Sequence, residues 1–162
     1  MDRYAWMRDK EDPRVMEFLK AENERAEAAM AHTGELQETL YREMLSRIKE
    51  TDSSVPAPRG PYLYYTRTVE GLSYPIHCRK RNLPDAPEEI LLDINALAEG
   101  HEYTNVTASA LSPDHKLLAY AVDRTGYERP TLVIKNLETG EHLPDRIEPV
   151  GSWSLAWAND NR

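Results

Sequence analysis

The sequence predicts an α+β fold in which an N-terminal helical hairpin is followed by an antiparallel β-meander. Two observations support this prediction. Apolar residues recur at three- and four-residue steps up to about residue 49, and they alternate beyond about residue 62. Between these halves, residues 51–61 contain three prolines, which cannot continue a helix. We therefore predict helices in residues 1–50, a hinge in residues 51–61 and β-structure in residues 62–162.

Two helices are predicted in the first part. Asp12 is a suitable N-cap, and Pro13 suits the first helical position, where no N–H partner is needed. This helix ends within residues 29–34, and Thr33 can cap the second. Each helix carries an apolar stripe opposite a charged face. The stripes are Met16, Leu19, Asn23, Ala26 and Met30 in the first helix, and Leu36, Leu40, Tyr41, Met44, Leu45 and Ile48 in the second.

The second part is predicted as short strands joined by turns. Clusters of Gly, Pro and Asp separate runs that are rich in β-formers. These runs are residues 62–68, 74–80, 88–94, 104–111, 116–123 and 131–137, with a further segment around Ile147. No helical segment is expected between them, which favours antiparallel pairing over β-α-β units. Gly140 is free to take a positive φ, and the turns at His115 and Asn161 need a left-handed residue.

Parts of the β-rich half repeat. SALSPDHKLLAYAV aligns with SLAWANDNR when Leu111 is placed over Trp157, a spacing of 46 residues. Gly71 aligns with Gly126 at a spacing of 55 residues. Repeats of about 40–50 residues made of short strands are typical of β-propeller blades, and a propeller closes with about four to eight of them. We therefore predict an incomplete β-propeller that contains the first one to two-plus blades. We expect the sequence to be cut within the third blade.

Composition excludes several classes of protein. The net charge is −8, and the cationic residues are interspersed with carboxylates, so no nucleic-acid partner is expected. No apolar run approaches the length of a membrane span, and the first residues lack the apolar core of a signal peptide. Cys78 is the single cysteine, which excludes an intrachain disulfide, and we expect it to be a half-buried strand thiol. These features favour a cytoplasmic protein with no membrane partner.

No catalytic, cofactor-binding or metal-binding residue is assigned from the sequence. The strained elbow of a serine hydrolase needs Gly-x-Ser-x-Gly beside a His base, and Gly151-Ser152-Trp153-Ser154 lacks the second glycine. Glu88 and Glu89 are adjacent, so on a strand they point to opposite faces. No cofactor is expected, because no Gly-rich phosphate loop is present. The histidines lack a His-Glu-x-x-His spacing and are expected to be structural: His32, His77, His101, His115 and His142.

Several phrases of the sequence resemble the prolyl oligopeptidase family, and most closely its oligopeptidase B branch. DRYAWMRDKEDPRVMEFLKAENE resembles the N-terminal phrase of the family. AHTGELQETLYREMLSRIKETDSSVP, YLYYTRTVEGLSYPIHCRK, EEILLDINALAEGHEY, ALSPDHKLLAYAVD and LETGEHLPDRIEPV resemble the branch in order and spacing. The similarity extends from Arg3 to Asn161. VPAPRGPYL departs from the usual Lys/Arg-Gly-Gly turn, and His115 stands where Gly is commoner; both departures concern local stability.

The resemblance implies a cytoplasmic serine peptidase in which a seven-bladed propeller covers an α/β-hydrolase domain and admits only short peptides. The oligopeptidase B branch cleaves after Arg or Lys. By the resemblance, the helices of residues 4–50 pack on the hydrolase domain, residues 51–60 form the hinge, and the propeller starts near Tyr62. The catalytic Ser, Asp and His of the family lie beyond residue 162. The implied partners are the hydrolase domain, in the same polypeptide or as a separate chain, and short basic peptides.

A second hypothesis from a different functional class is a non-enzymatic module. In this case the helical hairpin and the open meander recognise a protein partner through exposed strand edges. An open sheet leaves these edges, and apolar stretches such as LLAYAV, uncovered. The chain alone is therefore expected to aggregate, to self-associate through edge pairing or to be marginally stable. A defined monomer or dimer with a sharp melting transition would favour the binding module.

Overall fold

The computed structural model describes residues 2–151 and 153–161 of the chain. It divides into a helical unit that ends at Lys49 and a β-rich unit that begins at Glu50. Ser152, part of the excluded serine elbow, and Arg162, the last residue of the shorter repeat copy, lie outside the described residues. The predicted order of helices followed by antiparallel strands is confirmed.

The helical unit consists of two α-helices and two short 3-10 helices. The 3-10 helices are Ala5–Arg8 and Ala31–Thr33, and the α-helices are α1 (Pro13–Met30) and α2 (Gly34–Ser46). Asp12 caps α1 as predicted, because its carboxylate accepts the backbone N–H of Arg14 at 3.0 Å. Thr33 precedes α2 but does not cap it, because its hydroxyl donates instead to the carbonyl of Met30.

Both predicted apolar stripes are open to solvent. No residue of α1 or α2 is buried, and Leu36 and Met44 are 59% and 60% exposed. Among the described residues, no helix is long and apolar enough to cross a membrane. The helices therefore hide little apolar surface on their own, although burial of each such side chain would contribute about 1.5–3 kcal/mol.

The described part of the β-rich unit forms two four-stranded antiparallel sheets in which each strand pairs with the next along the chain. The first sheet contains β1 (Ala57–Arg59), β2 (Tyr62–Arg67), β3 (Ile76–Arg81) and β4 (Glu88–Asp93). The second contains β5 (Asn105–Leu111), β6 (Leu117–Asp123), β7 (Thr131–Asn136) and β8 (His142–Ile147). Both sheets are thus simple meanders, and β1, β4, β5 and β8 are their edge strands.

The first sheet begins earlier than the sequence predicts. Residues 51–61, predicted as a hinge, contain β1, which pairs with β2 so that Ala57 lies opposite Tyr64. The edge position explains why Pro58 is tolerated, since an edge strand does not need every N–H for a ladder. β-structure therefore starts before Tyr62, and bending of the segment stays a prediction.

A short helix separates the two sheets, so the expectation that no helical segment intervenes is wrong. This helix, α3 (Ile94–Ala98), directly follows β4. Asp93 caps it, because its carboxylate accepts the backbone N–H groups of Asn95 and Ala96. Five residues are too few for helical periodicity to appear in the sequence.

Each of three turns at repeat-related positions contains one residue with a left-handed backbone conformation. The φ angles of His115 and Asn161 are 63° and 65°, as the sequence predicts, and that of Gly60 in the β1–β2 turn is 57°. The predicted positive φ of Gly140 is also confirmed, at 78°. Gly60, His115 and Asn161 are 55 and 46 residues apart, which are the spacings of the repeats. The same turn geometry therefore recurs in three successive repeats.

The core of the β-rich unit lies between the two sheets. Its buried apolar side chains come from β4, α3 and β6: Leu91, Leu92, Ile94, Leu118, Tyr120 and Val122. The stretch LLAYAV, expected to be uncovered, is β6 itself, and all of it except Leu117 is buried. It is covered because β6 is an internal strand and its side chains pack against the first sheet. Exposed residues, by contrast, occur in all four edge strands.

Candidate functional site

A cleft of about 550 Å³ lies between the two sheets. One wall is built from the first sheet and includes Arg59, His77 and Cys78, and the other wall includes Ala110 and Leu118 of the second sheet. The lining combines apolar side chains with polar ones such as Tyr64, Thr66 and Ser109. The cleft is therefore the seam between two consecutive repeats.

Burial and a raised pKa disfavour Cys78 as a nucleophile. It is 1% exposed, so it is more deeply buried than the predicted half-buried thiol. Burial, together with the nearby Glu88 carboxylate, raises the pKa of Cys78 to about 11. The thiol therefore stays protonated near neutral pH, and only the thiolate is reactive.

Glu88 and Glu89 belong to separate networks, which confirms that they point to opposite faces of β4. Glu88 accepts hydrogen bonds from the hydroxyl of Tyr65 at 2.8 Å and from Nε of Arg67 at 3.0 Å. Burial and Glu88 together raise the pKa of Tyr65 to about 12. Glu89 accepts instead from Nε of Arg79 at 2.7 Å. The two carboxylates therefore do not form an acid–base pair.

Arg79 connects the first sheet to the second. It is 4% exposed, and its guanidinium donates to the backbone carbonyl of His115 at 2.6 Å. The same guanidinium lies over the ring of Tyr62 at 4.1 Å from the ring centroid, and its charge is paired with Glu89. A buried cation with an ion pair, a carbonyl acceptor and an aromatic face is well compensated. Arg79 therefore holds the β5–β6 turn onto the first sheet.

The side chain of His115 completes this contact. Its Nδ1 lies 2.8 Å from the hydroxyl of Tyr64, and the two rings stack with centroids 5.9 Å apart. Its Nε2 faces the β1–β2 turn, where a Cβ on Gly60 would lie only 2.5 Å away. Burial, Arg59 and Arg79 together lower the pKa of His115. We call the set Gly60, Tyr62, Tyr64, Arg79 and His115 the inter-sheet joint.

A related contact follows one repeat later. The side-chain oxygen of Asn161 accepts the backbone N–H of Asp114 at 3.0 Å, and Nε1 of Trp157 donates to the carbonyl of Ala110 at 3.0 Å. His115 and Asn161 thus act alike: each is the left-handed residue of its repeat, and each extends its side chain to the corresponding turn of the preceding repeat. The segment around Trp157 therefore lies against the edge of β5.

The four edge strands differ in how they are protected against further pairing. β1 carries Pro58, β8 carries Pro144, and β4 begins with Glu88 and Glu89. Proline and charge are the usual devices that block edge pairing. β5, by contrast, has seven residues with neither proline nor charge. It has no protecting residue of its own, although the indole of Trp157 covers it at Ala110.

The histidines predicted to be structural do not come together. His32 contacts the carbonyl of Ala29 at 3.0 Å, and His142 bonds the hydroxyl of Tyr120 at 2.7 Å. His101 is exposed in a loop, and burial lowers the pKa of His77 on β3. Across residues 2–151 and 153–161, no three His, Cys, Asp or Glu side chains are placed to hold a metal ion. The absence of assigned catalytic and metal residues stays a prediction.

Residues 1–162 match the family described as the prolyl oligopeptidase N-terminal beta-propeller domain. The chain belongs to the prolyl oligopeptidase family. Its two sheets are therefore consecutive blades of a family propeller that does not close within the described residues. The predicted incomplete propeller and the predicted family are both confirmed.

Relatives within the prolyl oligopeptidase family are much longer than this chain. Dipeptidyl aminopeptidase BI of Pseudoxanthomonas mexicana is 39% identical to it over 99% of this chain and 24% of the relative. The structure of oligopeptidase B from Leishmania major is 36% identical with a TM-score of 0.80, over 91% of this chain and 22% of that one. Oligopeptidase B from Trypanosoma brucei, in a closed form with covalently bound antipain, is 39% identical with a TM-score of 0.77, over 91% and 21%. The chain thus spans about a quarter of the length of these relatives.

Proposed function

We propose that these 162 residues are the N-terminal part of an oligopeptidase B-like serine peptidase. In this role α1 and α2 support the hydrolase domain, and the two sheets form the first blades of the propeller that limits access to it. The supporting observation is the similarity to oligopeptidase B over 91% of this chain but 22% of that enzyme. The exposed apolar stripes of the two helices also fit a surface that is covered in the complete enzyme.

The chain alone is proposed to be inactive. Its sequence contains no Gly-x-Ser-x-Gly elbow, and its single thiol is buried and protonated. The catalytic Ser, Asp and His are supplied by a hydrolase domain, either in the same polypeptide or as a separate chain. The part of residues 51–61 that precedes β1 is then proposed to act as the hinge between the helical segment and the propeller.

The proposed substrates are short peptides cleaved after Arg or Lys in the cytoplasm. The similarity to the two oligopeptidase B structures supports this class of substrate. The net charge of −8 supports it as well, because an acidic surface raises the local concentration of cationic peptides.

The test is a chimera in which this chain replaces the matched part of Leishmania major oligopeptidase B. The same enzyme with that part deleted is the control. Fluorogenic peptides with Arg, Lys or Ala before the cleaved bond are the substrates. We expect the chimera to hydrolyse the Arg and Lys peptides, and the deletion variant and this chain alone to hydrolyse none. A folded chimera no more active than the deletion variant, or hydrolysis by this chain alone, would refute the proposal.

The alternative function is a non-enzymatic module that binds a protein partner through a strand edge. The observation that favours it is the edge of β5, which has neither proline nor charge. Light scattering and thermal melting of the chain alone distinguish the two functions. A monodisperse monomer with a sharp transition supports the module, whereas edge-dependent self-association supports an incomplete propeller.

A further inference from the structure

A second cavity, of about 510 Å³, is shared by the two sheets. Its charged lining residues are Arg79 and Arg81 of β3, Glu89 of β4, Lys135 of β7 and Glu138 of the β7–β8 turn. Cavities of this size accommodate small organic ligands. We propose that this cavity binds a small oxyanion, a phosphate or a carboxylate, which Arg81 and Lys135 hold from the two sheets. The site belongs to the blades alone, so it does not depend on the peptidase role.

Both carboxylates of the cavity already have cationic partners. Glu89 accepts a hydrogen bond from Nε of Arg79 at 2.7 Å. Glu138 pairs at 3.3 Å with Lys116, which is not part of the lining. A carboxylate whose charge is compensated in this way does little for a further cation. Any other cation of the cavity therefore needs a counter-ion from elsewhere.

Arg81 and Lys135 are these other cations. In residues 2–151 and 153–161, no carboxylate forms an ion pair with either of them. The guanidiniums of Arg79 and Arg81 both lie over the ring of Tyr62, at 4.1 and 5.1 Å from its centroid, so two like charges share one aromatic ring. The chain has 28 acidic and 20 basic residues, so carboxylates are not scarce. The uncompensated positive charge is thus specific to this cavity.

Lys135 is half-buried and turned towards the first sheet. Its Nζ donates to the carbonyl of Leu91 at 2.9 Å. Leu91 is the extra residue of a β-bulge in β4 and has no partner residue on β3. An ammonium has three donors, so two remain for the oxygens of a ligand. Burial lowers the pKa of Lys135, as expected for a cation without a counter-ion.

The two side chains together suit an oxyanion. A guanidinium presents paired N–H donors that match two oxygens of a carboxylate or a phosphate, and an ammonium adds a compact charge. Because Arg81 is on β3 and Lys135 is on β7, a bound oxyanion would connect the first sheet to the second. Carboxylate and phosphate share this chemistry, and the experiment distinguishes them.

The experiment measures how fast each lysine of the full 162-residue chain is acylated by the N-hydroxysuccinimide ester of acetic acid, with peptide mass spectrometry as the readout. Phosphate or succinate is added at an ionic strength held constant with potassium chloride, so that general screening does not change. We expect phosphate, succinate or both to slow acylation of Lys135, with saturation at about millimolar concentration, as a few charge-assisted contacts allow. The anion that protects Lys135 identifies the class of ligand. Lys80 and Lys116 of the same chain should show no saturable protection.

Arg81→Met and Lys80→Met are the matched pair of variants. Lys80 and Arg81 are neighbours on β3, so their side chains point to opposite faces of the sheet. Arg81→Met should require at least about tenfold more ligand for the same protection of Lys135, because it removes one charge-assisted contact. Lys80→Met should change this requirement by less than about twofold. The proposal is overturned if neither anion protects Lys135 saturably, or if Arg81→Met is protected like the unmodified chain.

A second measurement covers the case in which the bond to Leu91 keeps Lys135 unreactive without any ligand. The ³¹P NMR line of phosphate and the ¹³C line of labelled succinate are then recorded with each chain, since binding broadens the line of the ligand even when the chain self-associates. Broadening that Arg81→Met loses and Lys80→Met keeps supports the site. Equal broadening in all three chains, or none in any of them, overturns it.

Discussion

Gly60 offers the sharpest test of the inter-sheet joint. A single added methyl group there would be unfavourable for the left-handed backbone and would also clash with His115. The φ of Gly60, 57°, is left-handed, where a side chain costs about 1–2 kcal/mol. The methyl of Gly60→Ala would also lie 2.5 Å from Nε2 of His115, so the ring must move. That movement loses the hydrogen bond to Tyr64, worth about 0.5–1.5 kcal/mol, and the ring stacking, worth a similar amount. We expect Gly60→Ala to lower the free energy of unfolding by about 2–5 kcal/mol.

Gly71→Ala is the matched control for this variant. Gly71 has a φ of 81°, but a Cβ there would meet nothing within 4 Å. Only the cost of the left-handed backbone applies, so we expect Gly71→Ala to lower the free energy of unfolding by about 1–2 kcal/mol. Urea unfolding followed by circular dichroism gives both values, provided that the slope against urea is the same for both variants.

The origin of the difference is tested in a second background. If the clash with His115 is the cause, Gly60→Ala in a His115→Gly chain should be no worse than Gly71→Ala in the same background. A Gly60→Ala variant that is as stable as Gly71→Ala in the unmodified chain would refute the close packing of the joint.

Two further predictions concern the ion pair and the open edge. Arg79→Met should lower the free energy of unfolding by about 2–4 kcal/mol, because it leaves the carbonyl of His115 without its donor. The control is Arg146→Met, which removes an exposed ion pair with a separation of 3.7 Å. This variant should change the free energy of unfolding by less than about 0.5 kcal/mol. Equal losses in the two variants, measured by urea unfolding, would contradict the role of Arg79. Ser109→Lys places a charge on β5 and should reduce concentration-dependent association in light scattering, whereas Ser73→Lys, in the β2–β3 loop, should not. Association unchanged by Ser109→Lys would mean that β5 is not the pairing edge.

The local pattern of the sequence was sufficient to predict the strands, the turns and the repeat. Alternating apolar residues marked β2 to β7, and the positive φ of His115 and Asn161 followed from the demands of their turns. β1 was missed because Pro58 argues against a strand unless the edge position is known. α3 was missed because a five-residue helix has no detectable period. These errors have a common cause, since each element is decided by its neighbours in space.

The inter-sheet joint could not be predicted for the same reason. Arg79 and His115 are 36 residues apart, and Tyr64 and His115 are 51 residues apart, so neither contact leaves a local signal. The burial of LLAYAV could likewise not be predicted from the sequence, because it depends on packing between the two sheets. One indirect signal did exist: Gly60 and His115 are spaced by the repeat, so a contact between successive turns could have been suspected.

We propose that the two sheets are the open beginning of a propeller and that the rest of the complete protein covers β5 and the helices. Hydrogen–deuterium exchange tests it most directly, in the chain alone and in the chimera with Leishmania major oligopeptidase B. We predict that the amides of β5 that precede Ala110, and those of α1 and α2, exchange faster in the chain alone than in the chimera, while β6 stays protected in both. Equally slow exchange of β5 and the helices in both proteins would contradict the claim.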